Sequence, residues 1–275
     1  MRFEDFAKAH GLIVDRIMVN RWVPTPTEDK PRSTNGRYKF LGDVGWVQNW
    51  ATMDRPAVWF PEGKSEISID ARQQIERSNR EREELAEKAA SKAGWIMHQT
   101  KLGTHPYLDR KGFKDEEGNV WLKDGQPILV IPMRINKRLI GCQLIDGDGQ
   151  KKFLYGQTSK GAAFTMDAGG VPIFCEGYAT GLSVREIMKA SNIRYQIHVC
   201  FSASNIKAVA RHYGEGIVIA DNDSNGTGEL SAKETGKPYW ISGTVGEDFN
   251  DYHMRVGKFK ASQALKRVLI QTQKL

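Results

Sequence analysis

The chain has 275 residues, with 40 Lys and Arg against 33 Asp and Glu, a formal charge of +7 and 40% apolar residues. That length suits one large core with an appended module or two domains, and no run approaches the ~18 consecutive apolar residues a membrane helix needs. The basic balance favours a polyanionic partner, nucleic acid first, although charge speaks to solubility and non-specific binding before it speaks to an activity.

The opening MRFEDFAKAHG carries two acidic residues and no basic segment leading into an apolar stretch, so a cytoplasmic protein without a secretory signal is expected. Residues 1–69 are rich in aromatics and turn formers. Strand-like pieces such as GRYKFLGD and VGWVQNW predict a small, mainly β module, with Trp46 and Trp59 in its core and Trp22 and Trp50 as further aromatics. Segment 70–94, which contains DARQQIERSNREREELAEKAASKA, is dense in helix formers and charge with little apolar stripe, and reads as a solvated connecting helix.

Segment 95–169 is a mixed α+β subdomain. PILVIPMRI and RLIGCQLIDGDGQKKFLYG read as strands around the turns Asn136-Lys137 and Asp146-Gly147-Asp148-Gly149. Six basic residues fall between Arg134 and Lys160 against two acidic ones, which suits either a solvated face or a basic groove beside a phosphate-handling site. Segment 170–275 alternates: VPIFCE, QIHVCF, GIVIAD and PYWISG as strands, YATGLSVREIMKA and SNIKAVARHYG as helices between them. Short apolar runs separated by helical periodicity predict βαβ units and a parallel sheet covered on both faces. A terminal helix over FKASQALKRVLIQTQKL is expected to bury Phe259, Ala264, Leu265, Val268 and Leu269.

Cys142, Cys175 and Cys200 are far apart and lack CxxC spacing, which argues for buried thiols and against a disulfide framework or zinc. The six histidines form no HxxxH or triad-like pattern, and Ser183 and Ser202 lack the GxSxG context of a hydrolase elbow.

The informative acids close strands. Glu176 follows VPIFC, Asp221 and Asp223 follow GIVIA, and Asp248 and Asp251 come shortly after PYWISG. In a parallel sheet the carboxyl ends face one side, where ligands bind, so these five carboxylates are expected to converge. Neighbouring carboxylates raise one another's pKa, and a divalent cation would relieve that repulsion. All-oxygen donors suit Mg²⁺, Mn²⁺ or Ca²⁺. The stretch Asp221-Asn222-Asp223-Ser224-Asn225-Gly226 also fits the opening of an EF-hand loop, but the twelfth position is Ala232 and the preceding segment reads as a strand. Helix capping and turn formation are the competing roles for these acids, most of all for Asp251 and Asn225.

In order, FCEGYATGLSV, IVIADND and GEDFND resemble the Toprim catalytic domain, and most closely that of DNA primases carried by phages and plasmids. The segment VIPMRINKRLIGCQLIDGDGQKKFLYGQTSKGAAF is similar to the partner subdomain of such primases. The resemblance implies an α/β fold in which a Toprim-like parallel sheet flanked by helices over 170–275 follows the basic subdomain and the aromatic N-terminal module. It implies a metal-dependent nucleotidyltransferase that makes short RNA primers on single-stranded DNA from nucleoside triphosphates, with two Mg²⁺ or Mn²⁺ ions and no zinc. Glu176, Asp221 and Asp223 would be catalytic, with Glu176 a metal ligand or general base. Asp248 and Asp251 would join them as ligands, and Arg134, Lys151 and Lys152 would contact phosphates. A replicative helicase is the kind of protein partner implied, and no membrane is. A zinc-binding module common in the replicative class has no Cys or His cluster to form it here, and no helicase segment is expected after the Toprim segment. Two other activities use the same features: a Toprim nuclease on the same acids, and an inactive relative that coats single strands through basic residues and tryptophans.

Overall fold

The computed structural model describes residues 1–53, 55–62, 66 and 68–272. The chain divides into two compact units, Met1–Arg82 and Glu83–Leu275. The last residues of the terminal-helix stretch, 273–275, lie outside the described residues. Among the described residues no helix is long and apolar enough to cross a membrane.

The first unit begins with a short helix, α1 (Phe3–Ala9), followed by four antiparallel strands in sequential order: β1 (Trp22–Thr25), β2 (Gly36–Phe40), β3 (Gly45–Asn49) and β4 (Ala57–Trp59). Alternation sends Tyr38, Val47 and Trp59 to the face covered by Phe3, Ala7 and Leu12. Trp46 corrects the expectation of a core residue. It falls on the opposite face of β3 from Val47 and is half-buried, because adjacent strand residues point to opposite sides of the sheet. On that face the Arg37 guanidinium lies 4.3 Å from the Trp22 ring and 5.7 Å from that of Trp50.

The helix α2 (Ile69–His98) is longer than expected and, past Arg82, is not a merely solvated connector. Ala89, Ala93 and Ile96, spaced by four and three residues, bury one narrow stripe against Val130, Cys142 and Leu154. Small alanines give that stripe little hydrophobicity, which is why the charge around it dominates the sequence pattern.

The second unit continues with β5 (Lys101–Gly103), α3 (Pro106–Arg110), β6 (Gly118–Lys123), β7 (Gln126–Ile135), β8 (Arg138–Ile145) and β9 (Lys151–Phe153). These five strands form an antiparallel sheet in sequential order. Asn136 and Lys137 both have positive φ, 47° and 69°, as the tight β7–β8 turn requires.

Next come β10 (Phe164–Asp167), β11 (Val171–Cys175), α4 (Tyr178–Ala190), β12 (Tyr195–Val199), α5 (Ala203–Ala210), β13 (Ile217–Ala220), α6 (Thr227–Lys233), β14 (Tyr239–Ile241) and α7 (Phe249–Thr272). The sheet order is β10-β12-β11-β13-β14. Strands β11 to β14 are parallel, as read from their continuous apolar runs, and β11 and β13 are buried almost throughout. The sheet is nevertheless mixed. Strand β10 pairs antiparallel with β12 at the edge, although it lies ahead of residue 170; its half-exposed FTMD gives no apolar run to read. The fold is thus mixed α/β, with antiparallel sheets and one mostly parallel sheet flanked by helices.

Small residues set the packing of α4. A Cβ on Gly181 would lie 2.8 Å from Val199 Cγ2, so the helix approaches β12 more closely than alanine would permit. Helix α7 breaks at Gly257, whose φ of 78° and ψ of 164° are not helical. Beyond the break the buried positions are Ala261, Leu265 and Val268, while Phe259 is 74% exposed. The expected stripe is therefore right at Leu265 and Val268, half-buried against the same core at Ala264 and Leu269, and wrong at Phe259, two residues past the break.

Within the second unit, Arg134 and Ala163 exchange backbone hydrogen bonds of 3.0 Å between β7 and the segment leading to β10. Buried Asn205 of α5 holds the same segment: its Nδ2 donates to the carbonyls of Ala162 and Cys200, both at 2.8 Å, and its Oδ1 accepts from Gly161 N at 2.6 Å. Asn205→Ala would orphan three backbone groups and is expected to cost about 2–4 kcal/mol, read as a lowered urea midpoint with an unchanged slope.

Candidate active site

The strand order reverses at β11. From it the chain crosses to β12 on one side and then to β13 on the other. The crevice outside the carboxyl ends of β11 and β13 is the topological switch point, where open α/β sheets bind ligands. Glu176 directly follows β11 and Asp221 directly follows β13, and the pairing of Cys175 with Ile219 brings these two strand ends side by side.

Both carboxyls are held above their ordinary range. Burial raises Glu176 most; the charge of Asp223 adds to it, while Lys151 and the backbone N–H of Ala203, at the start of α5, act against it. Burial raises Asp221 from 3.8 to about 7, with Glu176, Asp248 and Asp223 contributing and Lys151 opposing. Asp221 Oδ1 is buried and accepts no hydrogen bond from the described residues. Helix α6 presses on the same residue: a Cβ on Gly228 would stand 2.1 Å from the Asp221 carbonyl oxygen.

The rest of the loop is spent on structure. Asn222 Nδ2 donates to Ser242 O at 2.9 Å, and Asn222 O accepts from Gly246 N at 2.6 Å, tying the loop after β14 to the loop after β13. Asn225 takes the turn role: its Oδ1 accepts from Thr227 N at 2.9 Å, opening α6. Asp223 stays exposed. The strand ahead of Asp221 and the seven-residue α6 after it leave no helix–loop–helix for an EF-hand.

Asp248 and Asp251 lie where β14 leads into α7. Asp248 is the N-cap, its Oδ1 accepting from Asp251 N at 2.8 Å. A cation is already present there: Lys111 Nζ is 3.0 Å from Asp251 Oδ1 and 3.8 Å from Asp248 Oδ2. No motif around HPYLDRKGF marks Lys111 in the sequence. Its partners lie about 140 positions away, and only the folded chain brings them together.

The three basic residues expected at phosphates separate. Lys151, on β9, acts electrostatically on both Glu176 and Asp221. Phe153, two residues on and so on the same face of the strand, meets the Phe201 ring edge-on at 6.3 Å, beside the β12 end of the crevice. Lys152 is exposed on the alternate face of that strand. Arg134 is exposed, and its Nη1 donates at 3.0 Å to the Lys137 carbonyl at the hairpin turn.

Among the described residues no three His, Cys, Asp or Glu side chains are already drawn together as a metal cage. The donor chemistry of the crevice still fits a hard divalent cation: the candidates are carboxylates, they repel one another, and a buried oxygen of Asp221 lacks a partner. An open set of this kind suits an ion that keeps waters and substrate oxygens in its shell.

No family model matches the chain. It is similar to a chain in the solved structure of bacteriophage T7 lagging-strand DNA polymerase interacting with primase domains of two gp4 subunits bound to an RNA/DNA hybrid and dTTP. The match covers 59% of this chain and 84% of that one, at 18% identity and a TM-score of 0.41.

The raised Asp221 carboxyl has a consequence for stability. In the unfolded chain it ionises near 3.8, in the folded metal-free chain near 7. Between those values the folded state keeps a proton that the unfolded state has lost, so stability falls as pH rises from about 4 to about 7 and then levels off. Asp221→Asn removes the buried charge and should be more stable than wild type by roughly 2–4 kcal/mol at pH 8, the difference closing toward pH 4. Urea denaturation of the metal-free proteins at both pH values checks this, and an equal difference at both would contradict it.

Proposed function

We propose that the chain is a primase-type nucleotidyltransferase that makes short RNA primers on single-stranded DNA from nucleoside triphosphates. The observation that carries the reading is the pair Glu176 and Asp221 at the switch point, short of counter-charge, with the cationic Lys151 acting on both. The order of EGYAT, ADND and GEDFND along the chain supports it.

In this reading Asp221 and Asp223 hold a divalent ion of the Mg²⁺ or Mn²⁺ type, which supplies charge neutralisation at a phosphoryl group. Glu176, whose carboxyl burial holds above its ordinary range, is either a further ligand of that ion or the base that accepts the proton of a primer 3′-hydroxyl. Lys151 binds a phosphate at the mouth of the crevice. Lys152 and Arg134, exposed on the antiparallel sheet, follow the template backbone through sequence-independent contacts. Glu247 serves the scaffold: it accepts from Ser242 Oγ, and from Arg255 Nε at 2.6 Å and Nη2 at 2.9 Å, which hold it below the usual carboxylate range.

Primer synthesis on single-stranded phage DNA with labelled ribonucleotides and Mg²⁺ or Mn²⁺ tests the reading. Wild type should yield short labelled oligomers, and Asp221→Asn with Asp223→Asn should lose at least about a thousandfold in rate while still binding DNA. No oligomers, with the input DNA shortened by wild type alone, would replace the reading with a nuclease. Intact DNA bound equally by both proteins would replace it with a binding protein.

A further inference from the structure

Lys111 is gripped from three residues of a single acidic stretch. It caps the C-terminus of α3, and its ammonium faces Asp251 at 3.0 Å and Asp248 at 3.8 Å. Its carbonyl accepts from Asn250 Nδ2 at 3.0 Å, and that nitrogen also lies 3.0 Å from Ser183 Oγ on α4. Asn250 is fully buried, so the lysine backbone is anchored independently of its charge. Lys111 and Asp248 are each 27% exposed and Asp251 is 47% exposed, so the cluster is partly sheltered from water.

This arrangement conflicts with an ion held by the same carboxylates. Asp248 Oδ1 is already committed to the first turn of α7, and its Oδ2 faces the lysine. A divalent ion between Asp248 and Asp251 would sit against an ammonium of the same sign, carried on a backbone that the Asn250 bond keeps beside these acids. The other acids differ: a buried oxygen of Asp221 has no hydrogen-bond partner among the described residues.

We propose that Asp248 and Asp251 form a lysine clamp instead of ion ligands, with Lys111 as the resident cation of that end of the crevice, so that the chain takes one divalent ion and not two. Lys111 is then a positioning residue that holds α3 to the start of α7 and keeps Asp248 available as charge, but not as a ligand, beside Asp221. The inference rests on the reading of Glu176, Asp221 and Asp223 as an ion site.

Counting bound Mn²⁺ on the full chain, from the electron paramagnetic resonance of the free ion, tests it without any assay of activity. Wild type should bind one equivalent, Asp221→Asn none, and Lys111→Arg one. Lys111→Met, which removes the charge at similar length, should gain a second equivalent with at least about tenfold higher affinity than any second site of wild type. Asp251→Asn, which keeps Lys111 and the backbone anchor, should leave the single equivalent within about twofold in affinity. Two comparable equivalents on wild type, a folded Lys111→Met that still binds one, or a tenfold loss in Asp251→Asn would each overturn the clamp and leave the ion site standing. No Mn²⁺ bound by wild type would overturn the ion site and the clamp with it.

Discussion

A parallel sheet whose order reverses at its centre opens a crevice between two strand ends, and whatever closes those strands must share it. Here both are closed by carboxylates. Glu176 and Asp221 are buried enough that each resists ionisation; Glu176 also feels Asp223, and Asp221 feels Glu176, Asp248 and Asp223. The cost of keeping them charged is the constraint to which the surrounding structure answers. A metal-free chain satisfies it by leaving a proton on Asp221 up to about pH 7, and an ion-bound chain would satisfy it by coordination.

Cationic side chains from outside the parallel sheet address two different sets of acids, Lys151 acting on Glu176 and Asp221 and Lys111 pairing with Asp248 and Asp251. Lys151 comes from the edge strand β9, and Lys111 from the C-terminus of α3. The backbone bridge between Arg134 and Ala163 and the Asn205 side chain fix the segment leading from the antiparallel sheet into the parallel one. Precision at a charged crevice requires such rigid support, because a carboxylate that can swing into water loses the raised pKa that makes it useful.

Much of this was legible in the chain. Continuous apolar runs mark β11, β12, β13 and β14, and the chain order alone puts Glu176 directly after β11 and Asp221 directly after β13. Buried thiols at Cys142, Cys175 and Cys200 follow from their places in or beside apolar strands and from the lack of CxxC spacing. What could not be read has physical causes. Strand β10 hides because a half-exposed edge strand needs no apolar pattern. The Ala89, Ala93 and Ile96 stripe hides because alanines carry little hydrophobicity, and the Gly257 break hides because an isolated glycine in a helical pattern is ambiguous. Lys111 is the sharpest case: its role is set entirely by residues far along the chain, and a lone lysine beside a short helix carries no local signal.

The central claim is that the acids at the switch point are short of a cation. A crystal of the protein soaked in Mn²⁺ and measured at the manganese absorption edge tests it most directly. The account predicts an anomalous peak among the carboxylates of Glu176, Asp221 and Asp223, with Lys111 still paired to Asp251. A crevice without a peak at a Mn²⁺ concentration that saturates the soak, or a peak bound only elsewhere on the chain, would contradict it.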